Sequence, residues 1–185
     1  MTAMDGERLQ RLSHDVALEL PAAELTHPFG PEWDVFKVAG KMFMLHHRLP
    51  DHGAKDVAAP GGTRIIVVRA EPGDAHALRQ AHQFVFPGYH LNKKHWITVV
   101  APGEVAIDGA DSPGTADSLD DDAATDTGAC AGTGAESDAA TGAESDEIAF
   151  ERLVRELVID SYRNVVLGLQ KAKRPVDPMS FAAGS

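Results

Sequence analysis

Cysteine is nearly absent: Cys130 stands alone, so no internal disulfide can form and a reducing compartment is expected. No apolar run reaches the roughly 18 residues that a membrane-spanning helix needs, so no membrane partner is expected. Met1 to Gln10 is polar and lacks the apolar stretch of a secretory signal, which makes cytoplasmic residence the expectation. Aromatic residues make up only 6% of the chain, so the core is expected to be mainly aliphatic. There is no glycine-rich phosphate loop, because Gly61-Gly62 lacks both the flanking pattern and the lysine. Basic residues are too few for a strongly cationic nucleic-acid binder: 17 Lys and Arg stand against 28 Asp and Glu.

That acidity is concentrated in one place. Residues 108–147 hold 12 acidic residues and no basic one, so the rest of the chain carries 16 acidic against 17 basic and is close to neutral. Between 102 and 147 Ala, Gly, Asp, Ser, Thr and Glu dominate, and Gly-Ala-Glu-Ser-Asp occurs at both 134–138 and 142–146. Such a segment buries too little apolar area to offset the entropy of ordering it, and it reads as a disordered acidic insertion. An insertion of this length costs a fold little, because closure entropy grows only logarithmically. It reads as a solvated spacer. If it instead competes with nucleic-acid phosphate for a basic patch, deleting 108–147 tightens binding at low salt.

The remainder shows alternating helix and strand periodicity. Leu9, Leu12, Ser13, Val16, Ala17 and Leu20 form one apolar stripe, closed by Pro21. Residues 21–33 read as an ordered loop. Two short runs, 33–38 and 41–48, flank Ala39-Gly40 as a hairpin, and 49–62 reads as a loop. Arg64–Arg69 is a continuous β-branched strand, Pro72-Gly73-Asp74 opens a helix over about 74–83, and 95–101 is a strand. From Ile148 a long helical stripe follows through Phe150, Leu153, Val154, Leu157, Val158, Ser161, Val165 and Leu169. The expectation is one α+β domain over 5–101 and 148–174, with a mainly antiparallel sheet, helices on one face, and a flexible tail over 175–185.

Chemically capable residues are densest in Pro87-Gly88-Tyr89-His90-Leu91-Asn92-Lys93-Lys94-His95-Trp96. Lys93 and Lys94 can meet phosphate as point charges, and Asn92 can reach a phosphate or a base edge. The alternative is structural: Tyr89, His90, Asn92 and His95 fix a tight loop and Trp96 is core. Lys37 and Lys41 flank the hairpin turn and could form a basic wing. Arg64 and Arg69 are five residues apart, so they point to opposite faces and cannot share one patch.

Other chemistries find less support. His46 and His47 point to opposite faces, His76 and His82 are six apart, and no cysteine or close carboxylate completes a site at His90 and His95, so no metal is expected. Cys130 lacks a fixed base. Ser161 lies on an apolar helical stripe, where a packing or helix-to-sheet hydrogen bond is the expected role. No catalytic residue and no cofactor are expected.

Five blocks in order carry a resemblance: Pro28-Phe29-Gly30; Phe36-Lys37-Val38-Ala39-Gly40-Lys41-Met42-Phe43; Val68-Arg69-Ala70-Glu71-Pro72; the 87–96 segment; and Asp160-Ser161-Tyr162. With them the chain resembles the MmcQ/YjbR family over about 125 residues, outside the linker and tail. The family is one of small CyaY-like proteins described as candidate DNA-binding proteins. Arg69 stands where the family usually has Lys, the 49–62 loop is longer than usual, and the acidic segment replaces a short connection. The resemblance implies a CyaY-like fold and a DNA-binding role, and together with the residue reading the expectation is a monomeric, non-enzymatic module. It would bind double-stranded DNA through Lys37, Lys41, Asn92, Lys93, Lys94 and His95. A near-neutral domain then implies weak binding with a shallow salt slope. The competing expectation is a module that recognises an acidic protein or a small anion.

Overall fold

The computed structural model describes residues 5–106 and 139–177, with side chains of the second stretch from Asp146 onward. The apolar stripe near the start forms α1 (Gly6–Glu19), capped by Asp5, whose carboxylate accepts from Arg8 N at 2.8 Å. Leu20 is already extended, as the residue before a proline tends to be. The strands are β1 (Ala23–Thr26), β2 (Asp34–Val38), β3 (Lys41–Arg48), β4 (Arg64–Arg69), β5 (Val85–Pro87) and β6 (Trp96–Val99). Helix α2 (Pro72–Ala81) lies between β4 and β5, and α3 (Ala139–Leu167) begins within the last part of the acidic stretch.

All six strands pair antiparallel in the order β1-β2-β3-β4-β6-β5. The expected α+β architecture therefore holds, with two additions. Residues 21–33, read as loop, contain β1: four residues between Pro21 and Pro28, too short for their alternation to register. Residues 85–87, between the expected helix and the 95–101 strand, contain β5, whose pairing with β6 is visible only once the intervening loop is folded. Both are short strands at the sheet's edges.

The β2–β3 hairpin turns on Ala39 (φ +48°) and Gly40 (φ +74°). Two successive positive φ values make the tight turn whose twist suits a hairpin. Close to this turn the β2–β3 register shifts between Phe36 and Lys37, and Phe43 is left without a partner on β2. This bulge lets Phe43 and Met44 both face the helices, where both are buried in the main core.

Helices α1 and α3 cover one face of the sheet, as expected. Leu9, Val16, Phe36, Val38, Phe43, Ile66, Val68, Ile97, Val154, Val158 and Tyr162 build the core between them. The opposite face is not bare. Val35, Leu45, Ile65, Val67 and Val100 form a second cluster there. It is roofed by Leu49, Val57 and Ala59 of the long 49–62 loop, with Tyr89, Leu91 and Trp96 packed against it.

The boundaries around the acidic segment also differ from expectation. Residues 102–106 still pack, with Ala106 N donating to Ala58 O at 2.9 Å and Val105 set against the second cluster. Helix α3 begins at Ala139, nine residues before the apolar stripe. The heart of the proposed insertion, 107–138, and the tail from 178 lie outside the described residues. Within the expected tail of 175–185, Val176 packs on the main core, and just before it Arg174 donates to Leu169 O and Leu167 O.

Candidate ligand-binding face

The 87–96 segment is a strap over the second cluster. Gly88 is buried, and a Cβ there would stand 2.6 Å from Trp96 Cβ, so only glycine allows the strap to lie so close to β6. Thr98 anchors it: its buried hydroxyl donates to Pro87 O and accepts from Tyr89 N, both at 2.9 Å. His90 takes a left-handed backbone (φ +54°), and Asn92 closes a turn by accepting from Lys94 N at 2.9 Å. His95 binds through its backbone to Asn92 O and to Ala70 N, each at 3.0 Å.

The basic residues singled out in the sequence are only partly brought together. Lys37 pairs in register with Met42 and faces the second cluster, whereas Lys41 pairs with Val38 and faces the helical side. The wing is thus split across the sheet. Lys93 is bound to Asp56 at 2.6 Å, an exposed ion pair that ties the strap to the 49–62 loop. Asn92 spends its carbonyl on the turn. Among the described residues no carboxylate pairs with Lys37, Lys41 or Lys94. Trp96, expected in the core, is half-buried on the strap side.

What the fold assembles in their place is a row of rings. Trp33 stacks on His47 at a centroid distance of 3.6 Å, and His47 lies nearly parallel to Tyr89 at 5.7 Å. Tyr89 meets His90 at 4.1 Å, His90 lies 6.4 Å from Trp33, and Phe29 meets Trp33 edge-on at 6.1 Å. Burial lowers the pKa of His47 despite its hydrogen bond to Glu32 O, so its ring is neutral at pH 7 and behaves as a stacking partner. These rings come from the loop before β2, from β3 and from the strap. Only the Tyr89-His90 part could have been flagged from the sequence.

The row divides two clefts. An apolar one of about 530 Å³ lies among Phe29, Trp33, Val35, Met42, Leu45 and Leu91, with Lys37 and His90 also in its wall. A polar one of about 760 Å³ opens at the ends of β3 and β4 beside His46, His47, Arg48, His52, Arg64 and Tyr89.

A Ser-His-Asp alignment borders the polar cleft but runs the wrong way for nucleophilic catalysis. Ser13 Oγ lies 2.9 Å from His46 Nε2, and His46 Nδ1 lies 3.9 Å from Asp34 Oδ2. The Ser13 hydroxyl donates to Leu9 O at 2.8 Å, so the Nε2–H of His46 must donate to Ser13. His46 is only 3% exposed, and burial, with His14 adding to it, lowers its pKa to about 3. A base needs a bare nitrogen facing the serine, and here that nitrogen carries the proton. Asp34 instead pairs with His27 Nε2 at 3.0 Å. No cluster of three His, Cys, Asp or Glu with metal-binding geometry occurs among the described residues.

The chain as a whole is similar to known proteins. The YjbR family model matches residues 18–123. A protein of Escherichia coli O157:H7 named as uncharacterized, YbdF, is 43% identical over 101 residues, which span 55% of this chain and 73% of that one. The crystal structure of Deinococcus radiodurans protein DR2400, with a DUF419 domain, aligns with a TM-score of 0.52 at 27% identity, covering 94% of this chain and 88% of that one.

Proposed function

The chain belongs to the YjbR family, and on that premise we propose that it is a non-catalytic binding module whose ligand is DNA. The working surface in this reading is the sheet face away from the helices. The family resemblance supplies the DNA expectation, along with a CyaY-like architecture that a six-stranded antiparallel sheet with helices on one face is in keeping with. The observation that carries the reading is Lys37, lacking a carboxylate partner among the described residues, beside the exposed rings of Phe29 and His90 and the half-buried ring of Trp33. Cations supply the salt-dependent attraction to phosphate, and rings offer π-faces to bases. Lys94 follows three residues after Leu91, which lines the same cleft. Lys41, on the opposite face, is left out of this surface, and Lys93 contributes only when released from Asp56.

A second reading is favoured by that same ion pair and by the near-neutral charge outside 108–147: a module for an acidic protein or a small anion. Fluorescence anisotropy of labelled DNA at two salt concentrations separates the two. Saturable, salt-sensitive binding that the Lys37→Glu, Lys94→Glu double variant loses supports the DNA reading. Absence of binding at about 100 μM protein, far above the range of specific complexes, sets it aside.

A further inference from the structure

Resting on the nucleic-acid reading, we infer that the apolar cleft is a pocket for an unpaired base, so that the favoured ligand is a single strand and not a duplex. The cleft of about 530 Å³ falls within the range of small-molecule sites. Its floor is the closed side chains of Val35 and Leu45, and its wall is aromatic. His47 backs Trp33 by stacking, which holds the indole fixed where it borders the cleft. Phe29, at the lip beside Pro28, is 69% exposed, so its ring is open to a ligand entering the cleft. Lys37 is the one cation in the lining and supplies the charge that a flanking phosphate needs. Aromatic walls with a cation at the rim are what single-strand sites use, because every base has a π-face. In a duplex those faces are already stacked, and reaching this cleft would require flipping a base out.

The polar cleft on the other side of the ring row suits this ligand less well. It mixes Arg48 and Arg64 with Glu32, Asp34 and Asp51, so its field favours neither sign.

The test uses the full chain and one short oligonucleotide in three forms: single-stranded, hybridised to its complement, and single-stranded with abasic sites throughout. Affinity is read by anisotropy. Contact with the pocket is read by tryptophan fluorescence in the full chain and in Trp96→Phe, which leaves Trp33 as the only indole. The expected result is binding of the normal single strand about tenfold tighter than either other form, with Trp33 emission quenched. Phe29→Ala, at an exposed site that leaves the core intact, is expected to remove most of that preference. Equal affinity for the single strand and the abasic strand, or for the single strand and the duplex, overturns the base pocket while the DNA reading stands. Failure of all three forms to bind defeats both. Self-association that Phe29→Ala abolishes, measured by sedimentation, gives the cleft to a second copy of the chain and also overturns the pocket.

Discussion

Ser161 of α3 fills a missing rung between Phe43 of β3 and Arg69 of β4. Its hydroxyl donates to Phe43 O and accepts from Arg69 N at 2.7 Å. The register Met44↔Val68 puts Phe43 opposite Arg69, and the bond from Leu49 N to Thr63 O assigns that pair to the hydrogen-bonded class. The β3–β4 register ends at Met44↔Val68, and beyond it the helix hydroxyl bridges the two strands. Gln10 of α1 also binds this ladder, donating at 3.0 Å to His47 O and to Ile65 O. Tyr162 next to Ser161 donates to Pro21 O at 2.7 Å, tying α3 to the turn after α1.

Ser161→Ala should therefore cost more than a surface hydroxyl. It leaves a strand N–H and a strand C=O unpaired in a closed site, and about 2–3 kcal/mol of stability is expected to be lost. Urea unfolding at neutral pH measures it. A loss under about 0.5 kcal/mol, the scatter of ordinary surface changes, would mean the ladder closes without the helix.

Gly88→Ala tests the close approach of the strap to β6. The added methyl meets Trp96 Cβ at 2.6 Å and Trp96 O at 2.9 Å, atoms that cannot swing away. A destabilisation of about 1–3 kcal/mol is expected, with a changed near-ultraviolet circular dichroism signal from Trp96. An unchanged melting temperature would contradict the packing.

His46 predicts the shape of the pH–stability curve. Its folded pKa is lowered to about 3 by burial, while the unfolded value is near 6.5. Between those values the unfolded chain binds the extra proton, so stability is complete above about pH 6.5 and falls as the pH drops. The slope contributed by this one group approaches 1.4 kcal/mol per pH unit. His46→Leu removes the proton at the cost of the Ser13 bond, so the variant should be less stable at pH 7 yet show a flatter decline from pH 6.5 to 4. Parallel curves for the two proteins would assign the acid sensitivity elsewhere.

Asp56→Asn separates charge from fold. The Lys93–Asp56 pair is exposed, so breaking it should change stability by less than about 0.5 kcal/mol. On the DNA reading it also frees a cation, tightening binding at low salt and steepening the dependence of log affinity on log salt by about one unit. Unchanged affinity would place Lys93 outside the DNA contact.

The helical and strand segments with strong periodicity were legible because a single segment carries its own signal: the stripe from Leu9 to Leu20, the RIIVVR strand and the stripe from Phe150 to Leu169. Ser161 could be read as a helix-to-sheet link because a hydroxyl on an apolar stripe needs a buried partner; which backbone atoms it meets depended on where the β3–β4 register ends. β1 and β5 were not legible, since three or four residues at a sheet edge take their strand character from the neighbour they pair with. The site was legible in the same uneven way. The strap stood out by composition, but Lys37 and Lys41 looked like one wing because their split depends on the register of the β2–β3 pair.

Composition, the hydrophobic periods and the five motif blocks determined by themselves the α+β class, the family and the place of the acidic segment, because each is a property of local sequence. Only the tertiary structure decided which side chains stand beside the strap. Trp33, His47 and Tyr89 are separated by 14 and 42 residues along the chain, and they become one ring row only because the loop before β2, β3 and the strap are brought together on the face that the helices leave open.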